Sequence, residues 1–280
     1  MAAVLGTNVA SLWASKNLQS AQSNMANSVE RLSSGLRINR ARDDAAGLAV
    51  ANSLTQQINS ADQGVRNLND GISMVQTSEG AISQASEMAQ RILTLAVQAT
   101  NGSLSTTQKT TINTEMTALI AAIDSITTRT TFSGKTLLGG LSITIYTGKS
   151  STESVSISAA ALATISSGGS AGTLSTAITT ATSASGPVNY LSIATAATAY
   201  ITALDTQRGA LGAIQNQMEY SVNNIVELSA NLSSARSRVI DTDYATETSN
   251  LTKGQILQQA ATAMLAQANQ MPNVILSLLK

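Results

Sequence analysis

From residue 54 to 96 the apolar positions recur at alternating steps of four and three: Leu54, Ile58, Ala61, Val65, Leu68, Ile72, Val75, Glu79, Ile82, Ser86, Ala89, Leu93 and Ala96. Most of these are apolar, and such a repeat keeps one stripe of a helix turned toward a partner helix. Toward the other end Leu204, Leu211, Ile214, Met218, Val222, Ile225, Leu228, Leu232, Ala235 and Val239 follow the same rhythm. At about 1.5 Å per residue the first stripe alone would span roughly 65–90 Å, more than a compact globule of this size requires. The pattern predicts two long helices that run out and come back.

Shorter patterns fill the rest of the chain. Leu18, Met25, Val29 and Leu32, with Leu5, Val9 and Leu12 upstream, predict an N-terminal helix ending at Ser33-Ser34-Gly35, with Gly35 as its C-cap. A polar run follows from Arg37 to Gly47, in which Asp43 and Asp44 suit the positive end of the long helix. Asn101-Gly102 closes that helix, and Ser105 with Gln108 fits a capping box for the next. Ile112, Met116, Leu119, Ile123 and Ile126 then give the second arm of a helical hairpin.

After Gly139-Gly140 the period changes to two, with Leu141, Ile143 and Ile145 alternating with hydroxylated residues and Val155 and Ile157 doing the same. Two short strands are expected there. Residues 156–186 are low in complexity and read as irregular. Pro187 suits the first turn of the returning helix, which should run to about residue 238. A last helix is expected from about residue 250 to 278, carrying the stripe Leu257, Ala261, Met264, Ala268, Met271, Ile275 and Leu278. Its evident partner is the stripe at residues 5–32. Two paired helices alone are marginal in water, so both ends are expected to order fully only when neighbouring subunits cover them. The predicted fold is mainly α: an elongated antiparallel helical bundle or coiled-coil rod with a small β-containing distal insert.

Composition narrows the chemistry. Sixteen basic residues balance sixteen acidic ones, which leaves no net charge to hold a nucleic acid. No apolar run is long enough to suggest a membrane span, and the N-terminus has neither the basic start nor the continuous apolar core of a cleaved signal. With no cysteine and no histidine, disulfides, thiolate sites and the usual general base and metal ligand are absent. No catalytic, metal or cofactor site is expected. One Phe and one Trp leave burial to aliphatic residues, Met and Ala.

The remaining motifs read as ordinary. Gly134-Lys135-Thr136 and Gly148-Lys149-Ser150 look like ends of a phosphate-binding loop, but Arg129 and Ile143 stand where its first glycine is needed. Asn101, Asn231 and Asn250 begin Asn-x-Ser/Thr triplets, which a Ser/Thr-rich chain generates by chance. Arg31, Arg37, Arg40 and Arg42 beside Asp43 and Asp44 read as a locally paired polar joint rather than an anion site. The methionines at 74, 88, 116, 218, 264 and 271 fall on seam-like positions and read as core or interface.

Several stretches closely resemble bacterial flagellin: "VERLSSGLRINRARDDAAGLAVANSL" (29–54), "LNDGISMVQTSEGAI" (68–82), "ILTLAVQATNG" (92–102), "NLSSARSRVIDTDYATETSNL" (231–251) and "QILQQAATAMLAQANQMPNVILSLL" (255–279). The resemblance covers residues 1–140 and 188–280 and leaves the middle unplaced. It implies a subunit that polymerises with itself, and with sister flagellins where present, into the helical filament used for swimming. Residues 1–42 and 240–280 would be terminal helices lining the inner tube. Residues 43–140 and 188–239 would form the outer-tube rod, and 141–187 a small variable surface-exposed domain. Export through the flagellar type III apparatus without signal cleavage is implied, as are an export chaperone, cap and hook-associated proteins as partners. The hook–filament junction protein is a relative with similar ends and is the alternative. Catalytic inserts occur in some flagellins, but this middle, without His or Cys and nearly uncharged, suits none.

Three sets of residues carry expectations from the resemblance. Gln90, Arg91, Leu95, Ala96, Val97 and Gln98 match a motif bound by the host Toll-like receptor for flagellin, with Glu115 as the facing acid and Leu95 as apolar anchor. Leu93 and Thr94 replace the motif's second Arg and its Glu, which weakens the match. Leu257, Met264, Met271, Ile275 and Leu278 are expected at the subunit interface of the inner tube. Arg42, Asp43 and Asp241 are expected in a joint that sets the filament's supercoil.

Overall fold

The computed structural model describes residues 7–148, 152–183 and 189–278, with the side chains of all but 181–183 and 271–278. Leu5, Lys149, Ser150, Gly186 and Pro187, and the side chains of Met271, Ile275 and Leu278, lie outside the described residues. Six helices and four short strands are present among the rest. They fall into two compact units, residues 57–230 and residues 1–56 with 231–280. Both divisions fall inside long helices, not at the expected boundaries of 42/43 and 239/240.

In the 1–56/231–280 unit, Asn8 caps α1 (Val9–Ser34) by accepting from the Ser11 amide at 3.0 Å. Gly35 ends it at φ 72°, a left-handed turn that suits glycine, and its amide returns to the Arg31 carbonyl. α2 (Ala45–Ala99) begins here, with Asp44 accepting from the Gly47 amide as its cap. α6 (Tyr244–Leu278) starts six residues earlier than the pattern alone suggested, because Asp243 accepts from the Ala245 and Thr246 amides and the Thr246 hydroxyl.

In the 57–230 unit, α2 is joined by α3 (Thr106–Arg129), which opens with the expected Ser105/Gln108 capping box. α5 (Tyr190–Ile240) runs antiparallel to α2, with Met218 beside Gly71, Arg208 beside Glu79 and Ser229 bonded to Asp62. Leu68, Val75, Ile82, Ile92, Met116, Ile123, Leu204, Leu211 and Met218 share one core. The buried stripe of α2 in this unit is Ile58, Ala61, Gly64, Leu68, Gly71, Val75, Ser78, Ile82, Ala85, Ser86, Ala89, Ile92, Leu95, Ala96 and Ala99. Val65, Ile72, Glu79 and Leu93, expected in that seam, lie half-buried at its margin. Along α5 the expected seam is buried only as far as Met218, and Leu228 is exposed.

β1 (Thr131–Phe132) and β2 (Lys135–Thr136) form a hairpin whose two central residues, Ser133 and Gly134, both have positive φ. That geometry is the two-residue turn matched to strand twist, and it explains the Gly-Lys-Thr fragment without any phosphate. β3 (Ile143–Tyr146) and β4 (Ser154–Ile157) pair antiparallel, with Ile143 opposite Ile157 and Ile145 opposite Val155. The pair lies directly on α2. A Cβ on Gly64 would strike the Thr147 carbonyl, and one on Gly71 would strike the Ile145 side chain.

The irregular reading of residues 156–186 is corrected. Residues Gly172–Ser183 form α4, which packs on α3, and Ala161, Leu162, Ile165, Ala171, Leu174 and Ile178 enter the core. Asp124 of α3 accepts from the Ser167 amide at 2.6 Å and its hydroxyl at 2.7 Å. The buried Tyr200 hydroxyl donates to the Ile165 carbonyl at 2.8 Å, and burial pushes that phenol well above its ordinary pKa, with the Asp124 charge adding to the effect. The described residues between 141 and 183 fall within the 57–230 unit.

Candidate assembly surface

α1 and α6 run antiparallel, with Asn8 donating to the Ala268 carbonyl at 2.7 Å and Arg31 lying 3.8 Å from Glu247. Their seam is built from small side chains seven apart. Ala14, Ala21 and Ser28 on α1 face Gly254, Ala261 and Ala268 on α6, all of them buried or in contact. Small residues let two helices approach closely, but they leave little apolar area in the joint they make.

Leu18, Met25, Leu32, Leu251 and Leu265 are half-buried, but other large apolar residues are open. Leu12 is 62 % exposed, Trp13 60 %, Ile256 60 % and Met264 64 %, with Val9, Val29 and Leu257 exposed beside them. Leu12 stands two residues from Ala14, about 200° around the helix, on the side away from the seam. The C-terminal stripe is thus divided: Ala261 and Ala268 cover α1, while Leu257 and Met264 remain open. Isolated exposed apolar residues are ordinary in proteins; seven on one helix pair are many to leave uncovered in the monomer. Ile256 lies outside the four-three stripe, so the periodic pattern did not include it.

The polar joint is closed mainly by backbone. Leu36 and Asp241 form an antiparallel bridge, through Arg37 N–H to the Ile240 carbonyl at 2.7 Å and Thr242 N–H to the Gly35 carbonyl at 3.0 Å. The Arg37 guanidinium donates to the Val239 carbonyl at 2.6 Å, capping the end of α5. Asp43 accepts from the Arg40 and Asn39 amides, and Arg42 lies 3.6 Å away. The Arg40 amide above all, with the Asn39 amide and the charges of Arg42 and Arg31, holds the Asp43 carboxyl below its ordinary value against the opposing effect of desolvation. The Thr246 hydroxyl and amide, with the Ala245 amide, do the same for Asp243. Arg40 pairs with Glu30 at 2.7 Å. Arg42, Asp43 and Asp241 are therefore brought into one joint, Asp241 through its main chain. Ile38, nearly fully buried beneath it, and Asp243 were not singled out from the sequence.

The receptor-like set is divided by burial. Arg91 and Glu115 are exposed and paired, with the guanidinium Nε and Nη2 at 3.0 and 2.8 Å from one carboxylate oxygen. Leu95 is only 2 % exposed and belongs to the core with Met116 and Ile123. Its expected role as an apolar surface anchor is corrected: four residues after Arg91 the helix has turned about 40° further, which is enough to place Leu95 on the buried side. Among the described residues there is no cluster of metal-ligating side chains, and no helix is long and apolar enough to cross a membrane.

Comparison with known proteins identifies the family of the chain. The family profile for the bacterial flagellin N-terminal helical region matches residues 5–142, and that for the C-terminal helical region matches residues 194–279. The flagellin of Xenorhabdus nematophila is 38 % identical over 313 residues, covering all of both chains. That of Bacillus subtilis (strain 168) is 36 % identical over 301 residues, covering 98 % of each. Polar flagellin F of Vibrio parahaemolyticus is 34 % identical over 376 residues, again covering both chains completely. Among solved structures, that of Bacillus cereus flagellin covers 61 % of this chain and 94 % of its own at 23 % identity, with a TM-score of 0.48. Matched at both helical ends and along its full length by relatives of one kind, the chain belongs to the bacterial flagellin family.

Proposed function

We propose that copies of this chain assemble by burying the exposed apolar faces of α1 and α6 against neighbouring copies. As a flagellin the chain is a structural subunit of the bacterial flagellar filament. The observation that carries the proposed contact is the division of the terminal pair into a small-residue seam and an open large-residue surface at Leu12, Trp13, Ile256 and Met264. Covering each large side chain contributes about 1.5–3 kcal/mol. Repeated by a rotation that does not close, such heterologous contacts give an open helical polymer. In this reading residues 1–42 and 240–280 line the inner tube, and Met271, Ile275 and Leu278 extend the same contact. Nothing favours the hook–filament junction alternative.

Trp13 is the only tryptophan, so its emission reports this surface directly. Seeded growth of the purified chain should produce filaments with Trp13 emission shifted to the blue, and Leu12→Asp combined with Ile256→Asp should leave soluble, helical monomers. Filaments in which Trp13 still emits as a hydrated indole would place the contact elsewhere. The joint of Arg42, Asp43 and Asp241 sets how neighbouring subunits slide, so Asp43→Ala should change the filament waveform under dark-field imaging. Export without a cleaved signal, and binding of chaperone, cap and hook-associated proteins, belong to the same reading. Any receptor contact rests on Arg91 and Glu115 rather than Leu95, so charge reversal at Arg91 is its test in a reporter assay on monomers.

A further inference from the structure

The turn between α2 and α3 contains the chain's single Asn-Gly step, Asn101-Gly102. We propose that this step is a self-modifying site, at which the Asn101 side chain is converted to aspartate and isoaspartate without an enzyme. Three features of the turn converge on that chemistry. The Asn101 side-chain carbonyl oxygen accepts from the Ser103 amide at 3.1 Å and from the Ser103 hydroxyl at 3.0 Å. Two donors on one carbonyl oxygen draw electron density from its carbon and stabilise the oxyanion that forms when that carbon is attacked.

The attacking group is also prepared. Among the described residues the Gly102 amide donates no hydrogen bond, so no partner need be given up before it reacts. Gly102 is exposed, and a Cβ placed there would meet nothing within 4 Å, so space surrounds the nitrogen. Lacking a side chain, Gly102 also rotates into conformations closed to other residues. The contrast within the chain is direct. Asn27-Ser28, Asn52-Ser53 and Asn59-Ser60 lie inside α1 and α2, where each following amide is held in the helical ladder.

The step balances without oxidant or reductant. Hydroxide removes the Gly102 amide proton, the nitrogen bonds to the Asn101 side-chain carbonyl carbon, and the carbon–amine bond breaks to release ammonia. Water then opens the resulting five-membered imide at either carbonyl, giving aspartate or a backbone routed through the side chain. Either product places a new negative charge just beyond the last turn of α2, where the helix end is already negative.

The test incubates the purified full-length monomer at mildly alkaline pH and follows the tryptic peptide 92–109 by mass, with enzymatic methylation to count isoaspartate. The wild-type peptide should gain an acid for an amide and accept methyl groups, while the peptides carrying the three Asn-Ser steps stay unchanged. Gly102→Ala should slow conversion by roughly tenfold or more, as expected when a Cβ restricts the attacking backbone. Ser103→Ala should slow it severalfold in the folded protein but not in urea, where the two donors are lost from both chains. The proposal is overturned if peptide 92–109 stays intact while a helical Asn-Ser peptide converts. It is equally overturned if wild type and Ser103→Ala convert at one rate in the folded state.

Discussion

Asp43 and Asp243 show how single carboxylates hold the ends of helices together in this protein. Both have depressed pKa values because hydrogen-bond donors reach the ionised form, the Arg40 and Asn39 amides for Asp43, and the Thr246 hydroxyl with the Thr246 and Ala245 amides for Asp243. The stability they contribute is therefore fully present above the ordinary value of 3.8 and is lost as pH falls through the lowered folded-state values. Amide hydrogen exchange at Asn39, Arg40 and Thr246 should accelerate only in that acid window, and Asp43→Asn should abolish the change at Asn39 and Arg40. An unchanged pH profile in that variant would assign the protection to another group. Leu95 belongs to the same scale. Truncation to Ala should destabilise the monomer by about 2–5 kcal/mol, as for other buried leucines, whereas Arg91→Ala removes an exposed pair worth about 1 kcal/mol or less. Urea unfolding of the two variants separates them, and equal losses would contradict the burial of Leu95.

At the scale of elements, the terminal caps and the two long periodic helices could be read from sequence, since Gly35, Asp44, Ser105 and Asn101-Gly102 each punctuate the chain by local chemistry. The seam of α2 holds at Ile58, Ala61, Leu68, Val75, Ile82, Ser86, Ala89 and Ala96, and departs from the expected pattern where Gly64, Gly71 and Ser78 are buried in place of Val65, Ile72 and Glu79. Gly64, Gly71 and Ser78 have no hydrophobic signature, yet all three are buried; at Gly64 and Gly71 the β3–β4 hairpin occupies the space a side chain would take. Likewise α4 was hidden by its composition: Leu174 and Ile178 are one turn apart, but threonine and alanine around them give no contrast. Of the assembly surface, Leu257 and Met264 could be read from the stripe, while the exposure of Trp13 and Ile256 depends on which residues α1 and α6 spend on each other. Gly71→Val should push Ile145 and the hairpin off α2 at a cost of about 1–3 kcal/mol, the usual range for overpacking. Thermal unfolding and proteolysis near residue 146 would detect it; a variant as stable and resistant as the parent would mean the hairpin is not seated there.

For the molecule as a whole, the core of the 57–230 unit draws no residue from beyond Met218 among its fully buried members. Deleting residues 256–280 should therefore leave a soluble, largely helical monomer that does not polymerise. Sedimentation and electron microscopy check this, and filament growth by the truncated chain at the normal rate would refute it. Calorimetry of the intact monomer should show a weaker transition for the terminal helices that the deletion removes. Insertion at Gly168-Gly169, which a purely solvent-facing middle would tolerate, should instead lower stability, because Ile165 and Ser167, immediately before that step, are anchored to Tyr200 and Asp124. Those anchors have one property in common. Asn67 holds the Tyr146 carbonyl, Tyr200 the Ile165 carbonyl and Asp124 the Ser167 amide, so much of the grip on the middle segment is on main-chain atoms. Main-chain atoms are the same whatever the side chain. Side-chain substitutions at the exposed described residues between 143 and 193, the stretch that neither family profile matches, would therefore leave these three attachments intact.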